Sequence, residues 1–301
     1  MRILITGGTG FIGQRLCDML HNNQLVLLSR KVQKVNHTYN VDIINSLSSL
    51  NNLNDFDAVI NLAGAPILNG RWSKRKKQMI VSSRLDITQQ LVDLINKSTT
   101  PPHSFISASA AGIYGDRQRK ALMEQSLTIN DSFTYQVCSQ WETLALEAKT
   151  RVCLLRTAIV LGQGGMLGKM LPMFKQGLGT SLGNGEQFMP WIHIDDEVRA
   201  ICFLLEHQTC IGAFNLCAPQ SVTNKEFSQA LASALKKPLR FSIPKWVLQL
   251  TLGEASHLLL DSQRMSPAKL LTANFKFNYP KLDIALRDVV NNDKVKHATK
   301  G

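Results

Sequence analysis

Apolar residues in this chain gather in short, nearly continuous runs, and longer stretches with helical spacing separate them. The first run, Ile3-Leu4-Ile5, ends in Thr6-Gly7-Gly8-Thr9-Gly10, after which Leu16, Met19 and Leu20 recur at helical intervals. Leu25-Val26-Leu27-Leu28 follows, then Ala58-Val59-Ile60-Asn61-Leu62-Ala63-Gly64, Ser104-Phe105-Ile106-Ser107 and Val152-Cys153-Leu154-Leu155-Arg156. Strands without a polar face are buried on both sides, and such strands alternating with helices predict an α/β fold with a doubly wound parallel sheet. Ligands of such sheets lie outside the carboxyl ends of the strands, which puts Leu62, Ala63 and Gly64 on the ligand edge. The same small residues also suit a simple strand-to-loop turn.

From about Gly162 the texture changes to glycine and proline punctuation, with Gly164-Gly165, Gly177, Gly179, Gly183 and Gly185. Residues 162–190 read as a loop-rich insertion walling the cleft. Trp191-Ile192-His193-Ile194-Asp195-Asp196 leads into a helix whose amides Asp195 or Asp196 is expected to cap. A further helix follows Ser221-Val222-Thr223-Asn224, and a small helical region from about Pro238 contains Leu258-Leu259-Leu260. The expected division is a Rossmann-type domain at 1–217, a smaller, mostly helical C-terminal domain at 218–293, and a disordered tail at 294–301. No internal repeat is present.

With 301 residues and 44% apolar content, the chain can bury a large core as one elaborated domain or two unequal ones. Its six cysteines show no C-x-x-C pairing and read as reduced core thiols of a cytoplasmic protein, with no metal site. No signal peptide is expected before the first strand, and no apolar stretch reaches the roughly 18 residues of a membrane span. The formal charge of +12 raises the question of nucleic acid. Its basic clusters, Arg71-Trp72-Ser73-Lys74-Arg75-Lys76-Lys77 and Lys294, Lys296 and Lys300, accompany no nucleic-acid motif, so no such partner is expected.

Gly8, Gly10 and Gly13 fit G-x-G-x-x-G between a strand and a helix: one glycine for the turn, one for close approach of a pyrophosphate, one for helix packing. Freed amides at the helix start face the phosphates. Gly7, Gly10, Phe11 and Ile12 are therefore candidate cofactor-binding residues. The second strand ends in Ser29-Arg30-Lys31, where an NAD site would carry an acidic residue for the ribose. A guanidinium there can pair with a 2'-phosphate and Ser29 can add a hydrogen bond, which favours NADP(H) over NAD. A solvated basic loop is the alternative.

Taken together, Thr6 to Gly13, Asn61-Leu62-Ala63-Gly64-Ala65-Pro66-Ile67, Ser82-Ser83-Arg84, Ser109-Ala110-Ala111-Gly112-Ile113-Tyr114-Gly115-Asp116, Trp141-Glu142 and Leu155-Arg156-Thr157 resemble one family. It is the extended, sugar-nucleotide-epimerase-like short-chain dehydrogenase/reductases, in their atypical YfcH-type branch. Gly177-Leu178-Gly179, Asn215-Leu216-Cys217-Ala218-Pro219, Leu258-Leu259-Leu260, Pro267 and Ala285-Leu286 extend the resemblance through a C-terminal domain of unknown function. The resemblance implies an NADP-binding Rossmann domain with a smaller substrate-side domain. It also implies that Ser29 and Arg30 meet the adenosine phosphate, Leu62 and Ala63 the adenine-ribose side, Arg84 a phosphate or ribose, and Val160 the nicotinamide half. A homodimer is common in that superfamily.

Typical members carry a serine, a tyrosine and, four residues later, a lysine that lowers the tyrosine's pKa. The corresponding positions here hold Ala110, Thr134 and Cys138, although Ser109 adjoins the first. A shift of one residue recovers Tyr135 but places Ser139 where the cation belongs. Catalytic candidates are thus Tyr135, Ser109, Tyr114 and His193. Tyr114 is expected to pack against the cofactor or line the pocket, and Glu124 to fix a loop by accepting amide hydrogen bonds. Two functions remain open: an NADP(H)-dependent oxidoreductase or epimerase-like enzyme acting on an unknown small molecule, and a non-catalytic NADP(H)-binding regulatory or scaffold module.

Overall fold

The computed structural model describes residues 1–29, 41–126 and 129–298, the last six of these by backbone only. The amino-terminal half alternates strands and helices: β1 (Arg2–Thr6), α1 (Phe11–Met19), β2 (Gln24–Leu28), β3 (Val41–Ile44), β4 (Ala58–Asn61), α2 (Lys74–Lys97), β5 (Ser104–Ala110), β6 (Ala121–Leu122), α3 (Phe133–Ala145) and β7 (Arg151–Thr157). Then come β8 (Ile159–Leu161), α4 (Gly165–Lys175), β9 (Gly179–Leu182), β10 (Phe188–Met189), β11 (Trp191–His193), α5 (Ile194–Glu206) and β12 (Gly212–Leu216). The remainder holds β13 (Val222–Thr223), α6 (Asn224–Ala234), β14 (Leu239–Ile243), α7 (Lys245–Leu252), α8 (His257–Leu260), β15 (Arg264–Met265), α9 (Ala268–Thr272) and α10 (Leu282–Ala298).

Seven strands form one parallel sheet in the order β12-β7-β5-β4-β1-β2-β3. The chain runs outward from β1 through β2 and β3, then returns to β1's other side with β4. This reversal opens a crevice at the carboxyl ends of β1 and β4. The continuous apolar runs have a simple cause: Ile3 and Ile5 face a core with α1 and α5, whereas Leu4 faces a second with α2. Leu16, Cys17, Val198 and Ile201 fill the first face; Leu91, Val92 and Ile95 fill the other. Two sheet strands, β3 and β12, have no counterpart in the apolar-run reading because both are short and partly exposed.

A separate core unites Leu167, Leu171 and Phe174 of α4 with Phe227 and Leu231 of α6 and Leu286 and Val289 of α10. The glycine-punctuated stretch at 162–190 thus packs with residues beyond 217. Its α6 begins with a capping box: Thr223 Oγ1 accepts the Glu226 amide at 3.3 Å, and Glu226 Oε2 accepts the Thr223 amide at 2.7 Å. The backbone of α10 is helical to Ala298, into the segment expected as a tail. All six cysteines are free thiols.

Candidate functional site

The glycine run makes its turn at Gly7, whose φ is +73°. A Cβ there would lie 2.5 Å from Leu62 O, so only glycine fits between β1 and β4. Gly8, expected at the turn, instead packs on Leu27 and Cys17, and a Cβ on Gly13 would meet Gly7 O at 2.2 Å and Gly8 Cα at 2.6 Å. The turn thus falls at Gly7, one residue before the motif's first glycine, while Gly13 holds the close-packing position. Gly10 caps α1 without a side-chain hydrogen bond, and the first intrahelical bond runs from Gln14 N–H to Gly10 O at 2.9 Å. The preceding amides of Phe11, Ile12 and Gly13 point out of the helix start, where no acidic side chain stands in the first turn. These residues fit a dinucleotide pyrophosphate.

A cavity of about 420 Å³ opens from this helix start along the carboxyl ends of the sheet. Phe11, Ile12, Leu62, Ala63, Arg84 and Val160 line it together, as does Ser109. Arg84 is held by main-chain carbonyls, Nη1 donating to Ile80 O at 3.0 Å and Nη2 to Ala65 O at 3.2 Å. Its guanidinium lies over the Trp141 ring and so close to Gly64 that a Cβ there would meet Cζ at 3.1 Å. Burial lowers its pKa from the ordinary value. Ser29 stands buried at the end of β2, its amide donating to Ile44 O at 3.0 Å. Arg30 lies outside the described residues.

Thr134 and Cys138, read from the sequence as standing at the tyrosine and lysine positions of typical members, both face this cavity from α3. Tyr135 does not line it; it packs on the cluster that contains Tyr114 and Met265. Burial pushes the Cys138 thiol up to about 12, so it stays neutral and supplies no cation. Ser109 reaches the cavity, but its hydroxyl donates to Glu142 Oε1 at 2.6 Å. Glu142 in turn receives Arg156 in a forked pair, Nε to Oε1 at 2.9 Å and Nη2 to Oε2 at 2.8 Å. Arg156 Nη1 donates to Tyr114 Oη at 3.0 Å, and Tyr114 donates to Asn215 Oδ1 at 2.7 Å. Tyr114 is fully buried in this network, not on the cavity wall, and burial pushes its phenol up to about 12. Glu124 closes the network as expected, with Oε1 accepting the amides of Asn215 and Lys269.

His193 is also buried away from the cavity wall. The helix after Trp191 begins at Ile194, so His193 is its cap: Nδ1 accepts the Asp195 amide at 3.2 Å. That leaves Nε2 as the protonated nitrogen, donating to Asp288 Oδ2 at 3.2 Å, with the ring stacked on Tyr279. Burial lowers its pKa below the ordinary histidine value. Capping by Asp195 or Asp196 is thereby overturned, because both fall within the first turn, after the cap position. Asp195 pairs with Arg15 of α1, and Asp196 accepts the amides of Asn278 and Tyr279 at 2.8 Å each.

The residue that the sequence reading passed over is Glu197. It is wholly buried in α5, lies in the cavity wall beneath Thr157, and accepts the Thr157 hydroxyl through Oε1 at 2.9 Å. Its Oε2 has no hydrogen-bond partner. Burial, opposed by the Thr157 bond, pushes the carboxyl up to about 8, so near neutrality it is mostly protonated. A signal was present: Glu197 falls on the apolar stripe that continues through Val198, Ile201, Leu204 and Leu205, where a solvated glutamate has no place.

Comparison with known proteins matches residues 3–217 to the NAD dependent epimerase/dehydratase family and residues 243–289 to a domain of unknown function, DUF1731. The epimerase family protein YfhF of Bacillus subtilis is 33% identical over 98% of this chain and 99% of its own length. A chloroplastic homolog of epimerase family protein SDR39U1 from Arabidopsis thaliana is 35% identical, covering 96% of this chain and 87% of the relative. The crystal structure of human epimerase family protein SDR39U1 with NADPH superposes with a TM-score of 0.88 at 32% identity, over 97% of this chain and 100% of that one. Among the described residues, no helix is long and apolar enough to cross a membrane.

Proposed function

The chain belongs to the NAD dependent epimerase/dehydratase family, and on that premise we propose that it is an NADP(H)-dependent oxidoreductase or epimerase-like enzyme of the atypical short-chain dehydrogenase/reductase type. Bound NADP(H) would supply or accept a hydride at a carbon bearing oxygen. The α1 amides and the glycine cradle hold its pyrophosphate, Ser29 and Arg30 the adenosine phosphate, Leu62, Ala63 and Arg84 the ribose side, and Val160 the nicotinamide half. One observation carries this reading: a single cavity runs from the start of α1 to the half-buried Thr157 and its buried partner Glu197.

That pair offers proton transfer where the usual tyrosine and lysine are missing. For proton transfer the Thr157 hydroxyl turns from Glu197 Oε1 to donate into the cavity, the protonated carboxyl donates to Thr157 Oγ1 in its place, and the carboxylate recovers its proton afterwards. Ser109 is less suited to that task because its proton is committed to Glu142. That same commitment, with Thr134 and Cys138 in the catalytic positions, favours the second reading, a module that binds NADP(H) without turnover. Purified protein with NADPH and a panel of carbonyl compounds and sugar nucleotides decides between them. Substrate-dependent loss of nicotinamide absorbance is expected, and tight NADPH binding with no turnover across the panel would leave the module.

A further inference from the structure

Beyond Ser109 the cavity is walled by the loop after β4 (Ile67, Leu68), by Met166 of α4, by Phe188 of β10, and by Leu258 and Leu259 of α8. Among the described residues that line it, Arg84 is the one arginine or lysine. Its guanidinium sits on Gly64 and the carbonyls of Ile80 and Ala65, on the cofactor side. At the far end the ionisable groups are already paired or neutral: Asp261 has Oδ1 2.8 Å from Nδ1 of His257, which also lines the cavity, and the largely protonated Glu197 closes the inner wall. The basic stretch from Arg71 to Lys77 contributes nothing to the walls, and its Lys77 is ion-paired with Glu254.

A sugar nucleotide brings a diphosphate and a ring of hydroxyls, and its burial requires cations and hydrogen-bond donors to replace lost water. This wall instead has a paired aspartate, a protonated glutamate and mostly apolar side chains. Apolar surface buried against it is favoured without any need for charged partners. Resting on the NADP(H)-oxidoreductase reading, we infer that the substrate end takes an uncharged, predominantly apolar carbonyl compound or the corresponding alcohol, and not a sugar nucleotide. Its oxygen meets the Thr157 hydroxyl, and its apolar body lies against Leu68, Met166, Leu258 and Leu259. Reduction then forms one C–H bond with the hydride from NADPH, breaks the C=O π bond, and adds one proton at oxygen, leaving NADP⁺ and the alcohol.

Calorimetry on the full chain tests this without turnover. NADP⁺ is titrated first; the saturated complex is then titrated separately with acetophenone, nonanone and UDP-glucose. A ketone should bind at least about tenfold more tightly than UDP-glucose, the discrimination expected when charged groups find no partner. Leu259→Asp, or Met166→Glu if that variant does not fold, should weaken the ketone about tenfold or more and leave NADP⁺ affinity unchanged. UDP-glucose binding as tightly as the ketones, or no ketone binding, would overturn the inference. Failure to bind NADP⁺ would instead remove the reading on which it rests.

Discussion

Replacing Glu197 by glutamine keeps the shape of the side chain and removes its titration. The carboxyl stands at about 8 in the folded protein against an ordinary value of 4.5, chiefly because it is wholly buried. A raised carboxyl means that the folded state holds a proton the unfolded chain has already released, so stability falls as pH rises from about 4.5 to about 8. Below that window the group contributes no penalty; above it the full penalty is present. At about 1.36 kcal/mol for each pH unit, the whole window is worth roughly 5 kcal/mol. In a chain of this size that corresponds to a melting-temperature change on the order of 10 °C. Thermal melts of wild type and Glu197→Gln at half-unit steps across the window would measure it. The other titrating groups are common to both proteins and cancel in the difference. The variant should gain steadily on the wild type as pH rises, with most of the gain complete by pH 8. A difference that stays constant across the window would show that Glu197 ionises normally, and the proton-donor role assigned to it would fall with that result.

Gly13→Ala places a methyl group 2.2 Å from Gly7 O. It should destabilise the fold by about 1–3 kcal/mol and weaken NADPH binding, read by nicotinamide fluorescence. Glu142→Gln leaves Arg156 buried with half its forked partner gone, and a loss of roughly 3–5 kcal/mol is expected in denaturant titration. A change below about 1 kcal/mol would mean that the pair is well solvated. Arg30→Glu should cost NADPH about 1.5–3 kcal/mol, on the order of ten- to a hundredfold in affinity, with NADH little changed. Equal losses for the two cofactors would refute recognition of the 2'-phosphate by Arg30.

The sheet and its cradle were legible in the chain because both depend on local chemistry. Runs such as Ile3-Leu4-Ile5 are apolar at every position since both faces of the strand are covered, and that pattern survives in sequence. The short strands β3 and β12 carry no such run, and pairing with β2 and β7 makes them strands. Within the glycine motif the spacing was readable, but the left-handed turn at Gly7 follows from how closely β4 approaches β1.

By itself the sequence carried the strand, glycine turn and helix start on which the proposed dinucleotide site rests, and the residue types, Thr134 and Cys138, at the positions read as those of the usual tyrosine and lysine. Both are matters of residue type at fixed spacing along one or two elements. Tertiary packing decided the rest. Ser109 lost its free hydroxyl to Glu142, and His193 became a helix cap once α5 started at Ile194. Glu197 acquired its raised pKa only because β7 and α5 bring Thr157 against it and exclude water. A proton affinity depends on dielectric surroundings assembled from distant parts of the chain, and no local pattern contains that information.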